Sequence, residues 1–306
     1  MRPRTTHRAA QRVPAAQGFV LKGASTALAT CAELPDGDDD APALVAELAR
    51  LGVEAVSAVW DSDEVDWTAF DVVVVRSAWD YAERREDFLA WARSLTRVLN
   101  SVSVLEWSTD KQRYLTDLER AGVPVVPTRF LEPGQPFEEP GGPFVVKPAV
   151  SAGGRSSARF RPGEVEAAQA LAGRIHAERR TAMVQPDLGE VEETGLVYLD
   201  GSYSHAVRRC VPLPRSGARL GLSLDEELAS REPTAAERAV ADRALAAVGA
   251  DLLYARVDLV EGAVLELEAA EPSLYLAYGD GAAARFAAAI NQRLRIRPEK
   301  GRIASQ

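Results

Sequence analysis

The pattern of hydrophobic and polar positions in the first hundred residues predicts a small α/β unit. Short apolar runs without a helical period are typical of buried strands, and one amphipathic segment separates the first two of them. The predicted strands are Ser25–Glu33, Val53–Val59 and Asp71–Val75, and the predicted helix is Ala43–Leu51, capped by Asp40 and ended by Gly52. Because the run DVVVV has no polar face, we expect a parallel sheet covered on both sides.

Beyond residue 108 the pattern changes to longer helices that alternate with strands and hairpins. Helices are predicted after Thr109 or Asp110 and at Glu164–Arg174, Thr234–Val248 and Gly281–Leu294. Strands are predicted at Phe144–Pro148 and Ala182–Gln185, with a hairpin of Glu192–Leu199 and Tyr203–Arg209 around the turn Asp200-Gly201. The polar, proline-containing residues 212–232 predict a surface loop.

Alternation of apolar and polar residues from Leu252 to Pro272 predicts a second hairpin, whose first strand is expected to bury one face. If its strands pair, Asp258, Glu266 and Glu268 converge on one small volume. Close carboxylates repel one another and lose hydration unless a cation neutralises them, and hard oxygen ligands suit Mg²⁺. On this stretch alone, a solvated hairpin with its acids in water is an equal alternative.

Two lysines and a loop of small residues indicate an anion-binding site. Lys111 stands in the first turn of its helix, where a cation is unfavourable unless an anion binds beside it. Lys147 ends the strand FVVKP, and the glycines of the following loop, SAGGRSS at 151–157, let backbone N–H groups approach a phosphate. The spacing matches neither a Walker A loop nor GxGxxG. Taken singly, a solvated lysine and a flexible turn are the alternatives.

A polar and aromatic group follows the DVVVV strand. Arg76, Trp79, Asp80 and Tyr81 stand near the carboxyl end of that strand, where open α/β sheets bind their ligands. They are therefore candidate substrate residues. The alternative is that Asp80 caps a helix and Trp79 packs beneath it.

Composition narrows the function classes. A chain of 306 residues, 46% of them hydrophobic, can bury a substantial core, while its net charge of -9 argues against a binder of nucleic-acid backbone. No apolar run approaches the roughly 20 residues of a membrane-spanning helix. Cys31 and Cys210 lack metal-site spacing and favour a reduced, cytoplasmic compartment. Residues 1–17 are basic and are expected to form a disordered extension, with a transit peptide as the alternative.

The order of these motifs resembles that of the ATP-grasp superfamily. The resemblance covers about residues 108 to 295, in Lys111, VVKP, the glycine loop, VQPDL and the acidic hairpin. More closely, RSAWDY, STDKQRYL, SAGGRSS, SHAVRR, YARVDLV and ELEAAEPSLYL look like the branch that includes the D-cycloserine-forming ligase and glutathione-synthetase-like proteins. This implies a pre-ATP-grasp α/β domain at 18–107, followed by an ATP-grasp domain at 108–306 with a mobile lid at about 125–185 and a C-terminal antiparallel sheet.

The resemblance also implies a role for each matching residue. The phosphates of ATP would be held by Lys111, Lys147 and the loop residues Ser151, Gly153, Gly154 and Arg155. Adenine would lie against Gln185, Pro186, Asp187 and Leu188, and the ribose against one of Glu190, Glu192 and Glu193. Mg²⁺ would be bound by Asp258, Glu266 and Glu268, and the acyl-phosphate and acceptor would be surrounded by Arg208, Arg256 and Glu271.

Two departures from the superfamily pattern concern the metal and the ribose. Glu268 stands where the metal motif often has Asn, which adds a negative charge, and ETGLVY replaces the more usual Glu-x-Ser pattern. The main hypothesis is an ATP- and Mg²⁺-dependent, ADP-forming ligase. It would join a carboxylate to an amine on a small amino-acid-like substrate through an acyl-phosphate, as a cyclo-ligase or between two molecules, in an antibiotic pathway.

The alternatives are a small-molecule kinase with the same fold and a nucleotide-binding module without turnover. The expected partners are a small molecule and a second copy of the chain, rather than nucleic acid or membrane.

Overall fold

The computed structural model describes residues 24–189, 191–210 and 227–296. The predicted extension at 1–17, Glu190 and most of the predicted loop at 212–232 lie outside the described residues. Within the described ranges, no helix is long and apolar enough to cross a membrane.

A four-stranded parallel sheet begins the fold, in the order β2-β1-β3-β4. Its strands are β1 (Ala24–Thr30), β2 (Val53–Val59), β3 (Val72–Ser77) and β4 (Val98–Leu99), and its helices are α1 (Ala41–Arg50), α2 (Arg85–Ser94) and α3 (Val102–Ser108). The predicted parallel sheet is confirmed. Strand β1 ends earlier than predicted, because the Leu34 N–H donates to the Cys31 carbonyl at 3.0 Å and turns the chain.

A second, four-stranded antiparallel sheet has the order β5-β8-β6-β7. Its strands are β5 (Arg129–Leu131), β6 (Phe144–Pro148), β7 (Ala158–Phe160) and β8 (Ala182–Pro186), with helix α5 (Val165–Ala177) between the last two; helix α4 (Lys111–Arg120) precedes them in the chain. Asp110 caps α4, since its carboxylate accepts the Gln112 N–H at 3.0 Å, and this places Lys111 in the first turn as predicted. Leu171 and Ile175 of α5 pack in the core of this sheet with Phe144.

A third, five-stranded antiparallel sheet has the order β11-β10-β9-β12-β13. Its elements are β9 (Glu193–Leu199), β10 (Ser202–Cys210), β11 (Glu227–Arg231), α6 (Ala235–Val248), β12 (Tyr254–Val260), β13 (Ala263–Glu268) and α7 (Ala282–Arg295). The β9–β10 turn is at Asp200-Gly201 as predicted, with φ of 50° and 72°. The prediction of a loop over 212–232 is wrong at its end, because β11 is an edge strand without apolar alternation.

Strand β12 corrects another prediction, because every one of its residues is buried. One face was expected to be wet. Instead Ala255, Val257 and Leu259 pack into a core shared with α4 and α6, while Tyr254 on the opposite face packs with Phe286 of α7. The α/β class with one parallel and two antiparallel sheets is as predicted, and the domain boundaries stay predictions.

Buried hydrogen bonds join the parallel sheet to the five-stranded sheet. The Asn100 side chain accepts the Leu253 N–H at 2.6 Å and donates to the carbonyls of Tyr254 and Ala269. The Tyr254 hydroxyl lies 2.7 Å from the carbonyl oxygens of both Val75 and Ala270. These contacts fix the start of β12 and the end of β13 against the first sheet.

Candidate active site

A cleft of about 1260 Å³ opens where loops and strands of all three sheets meet. The parallel sheet contributes the loop after β1 and Trp79, and the second sheet contributes β6, β8 and the loop after β6. The third sheet contributes residues from all five of its strands, β9 to β13. The predicted Lys111, Lys147, Gln185 and acidic hairpin thus meet in one cavity, although they are far apart in the sequence.

The three carboxylates of the predicted acidic hairpin lie close together, as predicted. Asp258 is paired with Glu266 across the β12–β13 ladder, and Glu268 follows two residues later on the same face. One oxygen from each of Asp258, Glu266 and Glu268 lies within 4.8 Å of the others. Asp258 is 1% exposed, so the alternative of a solvated hairpin does not hold.

Two arginines hold Asp258. Arg256 Nε lies 2.9 Å from Asp258 Oδ1 and Arg256 Nη2 lies 3.0 Å from Oδ2, and Arg209 Nη1 approaches Oδ2 at 2.6 Å. The Arg256 guanidinium also pairs with Glu268 at 2.8 Å. Such charge-assisted, forked contacts fix the plane of the carboxylate, so the ligand geometry is set by side chains that are themselves buried.

Two lysines hold Glu266. Lys147 Nζ donates to Glu266 Oε1 at 3.1 Å, and Lys111 Nζ lies 3.9 Å from the same oxygen. Burial alone would raise the pKa of Glu266, but the two ammonium groups hold it well below its usual range. Lys111 also donates to the Ser151 carbonyl at 2.9 Å, which ties the start of α4 to the glycine loop. Both cations therefore stand beside the acidic group, at the mouth of the predicted phosphate loop.

In three further acids of the cleft, burial raises the pKa. Burial raises the pKa of Glu193 to about 7, against the attraction of Arg209. Burial, with the nearby charge of Glu268, raises the pKa of Glu271 to about 8, and burial likewise raises that of Glu268. Groups of this kind are expected where a site is built to receive a cation that it does not itself supply.

The loop 151–157 lies over this end of the cleft. Ser151, Gly153 and Gly154 line the cavity, and both glycines have positive φ, near 59° and 66°, which side chains disfavour. Arg155 does not line it. Its Nη1 pairs with Glu83 Oε1 at 3.0 Å, so this guanidinium links the loop to the N-terminal layer.

The predicted adenine segment is a wall of the cleft. Gln185, Pro186, Asp187 and Leu188 all line the cavity. The Gln185 side chain is buried and donates to the Thr128 hydroxyl at 2.9 Å, which fixes its orientation. Of the candidate ribose acids, Glu193 faces the cleft, whereas Glu192 pairs with Arg208 at 2.7 Å away from it; Glu190 lies outside the described residues.

Only one of the four predicted substrate residues near β3 lines the cleft. Trp79 does so, and its Nε1 donates to the Glu271 carbonyl at 3.0 Å. Arg76 belongs to β3 itself and lies buried, its guanidinium 5.5 Å from the Tyr254 ring centroid. Asp80 accepts the Trp60 Nε1–H at 2.7 Å, and the Tyr81 hydroxyl bonds the Glu271 side chain beneath the cleft surface. These three side chains therefore do not line the cavity.

Arg209, rather than the predicted Arg208, belongs to the cleft. The β9–β10 register shifts between Tyr203 and His205, so Val207 pairs with Gly195 and Arg209 with Glu193. Without that bulge, the strand period would place Arg208 opposite Glu193. Arg208 instead pairs with Glu192 outside the cavity, and a single extra residue decides which arginine meets Asp258. Turn spacing alone gives no signal for such a bulge.

Comparison with known proteins connects this geometry to a family. The chain is 36% identical over 285 residues to the cycloserine biosynthesis protein DcsG of Streptomyces lavendulae, a match that covers 84% of this chain and 95% of that protein. The chain belongs to the D-cycloserine synthetase family. The model of the N-terminal domain of D-cycloserine synthetase DcsG matches residues 26–100, within the parallel-sheet part of this family member.

Solved structures agree with this assignment. The crystal structure of D-cycloserine synthetase DcsG superposes with a TM-score of 0.79 at 34% identity, covering 88% of this chain and 99% of that one. A D-alanine–D-alanine ligase from Bacillus anthracis, solved with ATP, superposes with a TM-score of 0.62 at 14% identity, covering 91% and 100%. The second likeness concerns the fold. This member of the D-cycloserine synthetase family is thus an enzyme of the ligase type, with the ATP-grasp fold that the motif order predicted.

Proposed function

We propose that this enzyme is an ADP-forming, Mg²⁺-dependent ligase that joins a carboxylate to an amine through an acyl-phosphate. The observation that carries the proposal is the group of three carboxylates beside Lys111 and Lys147 in one cleft. Phosphoryl transfer needs positioned charge more than protein nucleophiles, and the cleft walls supply charge of both signs.

The donor set fits Mg²⁺. Asp258, Glu266 and Glu268 offer oxygen atoms alone, and the raised pKa of Glu268 reflects a buried charge that a cation would relieve. When bound, the ion supplies neutralisation of charge on the phosphate oxygens. Arg256 and Arg209 would keep Asp258 oriented toward the ion, a supporting role that typically affects metal affinity by about 10- to 100-fold.

The nucleotide would lie along the wall formed by β6 and β8. Gln185, held by Thr128, with Pro186, Asp187 and Leu188 would contact adenine, and Glu193 is the ribose candidate that faces the cavity. Lys111, Lys147, Ser151, Gly153 and Gly154 would hold the phosphates. Arg155, through its pair with Glu83, would hold the loop closed and keep water from the intermediate.

Two bond exchanges complete the proposed reaction. A substrate carboxylate oxygen bonds to the γ-phosphorus while the bond to ADP breaks, and the amine nitrogen then bonds to the acyl carbon while phosphate leaves. The amine must lose a proton in the second step, and the carboxylate of Glu271, which lines the cavity, is our candidate acceptor. The relatives support an amino-acid-like substrate, since one is a D-cycloserine synthetase and another a D-alanine–D-alanine ligase.

A screen for ADP release tests the proposal. The protein would be incubated with Mg²⁺, ATP and pools of amino acids, O-substituted serine analogues and small diacids, singly and in pairs. Release with one compound and a dehydrated product indicates a cyclo-ligase; release with a pair indicates an intermolecular ligase. A stable phosphate ester without a condensed product would instead indicate a kinase and contradict the proposal.

The matched variants are Asp258→Asn and Asp63→Asn. Asp63 is exposed on a loop far from the cavity lining, so its variant should release ADP like the wild type. The Asp258 variant should lose most ADP release and most of the Mg²⁺ dependence of ATP binding. Unchanged release by Asp258→Asn would overturn the metal assignment.

A further inference from the structure

An acidic loop forms part of the cleft wall. It follows β1, and Asp38, Asp39 and Asp40 all line the cavity. Gly37 fixes its path: φ is 91°, and a Cβ there would lie 2.7 Å from Ala41 Cβ and 3.0 Å from Ser57 Oγ. The loop is thus held against α1 and β2, which makes its side chains a fixed part of the wall.

The three aspartates of this loop differ in their contacts and exposure. Asp40 is used by the fold, because its two oxygens accept the Leu274 and Leu276 N–H groups at 3.0 and 2.7 Å. Asp39 is exposed. Asp38 is 9% exposed, and although its Oδ2 accepts from Arg76 Nη2 at 3.2 Å, its Oδ1 has no hydrogen-bond partner.

An unsatisfied buried carboxylate oxygen is costly, so it points to a missing donor. Arg76 does not donate a hydrogen bond to Asp38 Oδ1, although Nε and Nη1 of its guanidinium also lack hydrogen-bond partners. Burial raises the pKa of Asp38, and Asp40 adds to this while Arg76 opposes it. The buried Arg76 guanidinium is thus shared by two carboxylates, at 3.2 Å from Asp38 and 3.6 Å from Asp40, and the balance of charge favours a cation beside Asp38.

Geometry favours an organic cation over a metal ion. Within the described residues, the group of acids close enough to share a metal is Asp258, Glu266 and Glu268, and the acidic loop contributes no member to it. A primary ammonium has three N–H donors and so needs fewer converging oxygens than the six or more that surround Mg²⁺ or Ca²⁺.

The acidic loop lies next to the reacting end of the cleft. The segment 271–276 connects the two: Arg256 Nη1 donates to the Ser273 carbonyl at 2.8 Å, and Asp40 accepts from Leu274 and Leu276. Glu271, Ser273 and Tyr275 of this segment line the cavity between them. A molecule held between Arg256 and Asp38 would therefore need an anionic and a cationic end.

We propose that Asp38 binds the primary ammonium of the amino-acid-like substrate and thereby selects α-amino acids over otherwise identical acids without the amine. The inference rests on the proposed function, whose carboxylate chemistry occupies the Arg256 end. Asp38 contributes its free Oδ1 as acceptor, while Arg76 fixes the other oxygen from behind.

The test compares two ligands that differ by one amine. D-cycloserine carries a primary amine, and isoxazolidin-3-one is the same ring without it. Their dissociation constants would be measured by calorimetry with saturating Mg²⁺ and ADP, at a pH where the amine is protonated, for the wild type, Asp38→Asn and Asp36→Asn. Asp36 is exposed in the same loop and does not line the cleft, which makes it the matched control.

The wild type and Asp36→Asn should prefer D-cycloserine by about 10- to 100-fold, the range of a hydrogen bond between charged groups. Asp38→Asn should lose that preference while still binding Mg²⁺ and ADP. A preference that survives in Asp38→Asn, or a nucleotide-bound wild type that binds neither ring or both equally, overturns the proposal. Failure to bind ADP at all would instead refute the proposed function. If Asp38→Asn does not fold, the wild-type comparison alone still decides against the proposal when no preference is found.

Discussion

Gly195 shows how closely single residues are fitted around the acids of the cleft. It lies on β9 opposite Asp258, and a Cβ at this position would lie 3.0 Å from Asp258 Oδ1 and 3.2 Å from Val207 Cγ2. The backbone conformation of Gly195 does not require glycine. Glycine is needed because there is no room for a Cβ atom at this position. The absence of a side chain at 195, within the segment ETGLVY, thus serves the carboxylate that faces it.

We therefore expect Gly195→Ala to move the Asp258 carboxylate by a few tenths of an ångström and to weaken Mg²⁺-dependent ADP release by about 10- to 100-fold. The control is Gly173→Ala in α5, where nothing lies within 4 Å of the added Cβ, and where alanine should stabilise the helix by about 0.5–1 kcal/mol. Mg²⁺ titrations of ADP release would measure the effect. Wild-type Mg²⁺ dependence in Gly195→Ala would contradict the fit described.

The neighbouring arginines of β10 give a second prediction at this scale. Lysine at 209 keeps the charge but loses the forked guanidinium that holds Asp258 at 2.6 Å, so Arg209→Lys should lower ADP release by about 10- to 100-fold. Arg208→Lys, whose parent side chain pairs with Glu192 away from the cavity, should stay within about twofold of the wild type. Initial rates at saturating ATP decide between them, and a larger loss in Arg208→Lys would mean that the β10 register is wrong.

At the scale of elements, local signals in the sequence predict much of the fold. The β9–β10 turn at Asp200-Gly201 and the capping box of Thr234 and Glu237 that starts α6 depend on neighbours within a few residues. The bulge between Tyr203 and His205 has no such local signal. Because the bulge sets the register of β10, the sequence also does not show whether Arg208 or Arg209 faces the cleft. Contacts between residues that meet only through tertiary packing likewise cannot be predicted from local signals.

Asp38 and Arg76 are examples of residues whose surroundings depend on tertiary packing. Arg76 lies near the end of an apolar strand, where open α/β sheets bind ligands, yet it is buried against Tyr254 and Phe286, which are 178 and 210 residues further along the chain. Asp38 stands in an acidic turn whose sequence is typical of a helix start, and the hydrogen bonds that join this turn to the segment 271–276 are made by the neighbouring Asp40. The acidic hairpin was predictable because both of its strands are adjacent in the sequence.

His205 connects β10 to the segment before α7 and gives stability a pH dependence. Its Nε2 lies 2.9 Å from the Leu274 carbonyl, which identifies this nitrogen as the donor of a neutral ring, and burial lowers its pKa from 6.5. The neutral form is favoured in the fold, so stability is full above about pH 6.5. It is lost as the pH falls toward the folded pKa, because the unfolded chain takes up the proton first.

We expect the free energy of unfolding to fall more steeply in the wild type than in His205→Gln between about pH 6.5 and 5, by up to about 1.4 kcal/mol per pH unit. Urea denaturation across this range measures the difference. His176→Gln is the control for replacing a histidine elsewhere in the fold, since His176 lies on α5 and its Nε2 contacts the Leu131 carbonyl at 2.8 Å instead of the segment before α7. Equal pH slopes for wild type and His205→Gln would show that His205 titrates alike in the folded and unfolded chain.

At the scale of the whole molecule, the cleft exists because three sheets are held in register around it. The acids sit on β12 and β13, the lysines on α4 and β6, and the acidic loop after β1, so no sheet contains a complete site. The first and third sheets share an apolar core, and the buried side chain of Asn100 adds three hydrogen bonds to the contact between them. A change at this contact should therefore affect chemistry that takes place at a distance from it.

Asn100→Ala should destabilise the protein by about 2–5 kcal/mol, because it leaves the Leu253 N–H and the carbonyls of Tyr254 and Ala269 buried without their partner. Those groups flank the strands that carry Arg256, Asp258 and Glu268, so ADP release should fall even under conditions where the variant is folded. Asn291→Ala, on a partly exposed face of α7, should change stability by less than about 0.5 kcal/mol. Urea unfolding and ADP release on the same samples test both parts. A destabilised Asn100→Ala with wild-type turnover would mean that the third sheet keeps the geometry of its acids without the first.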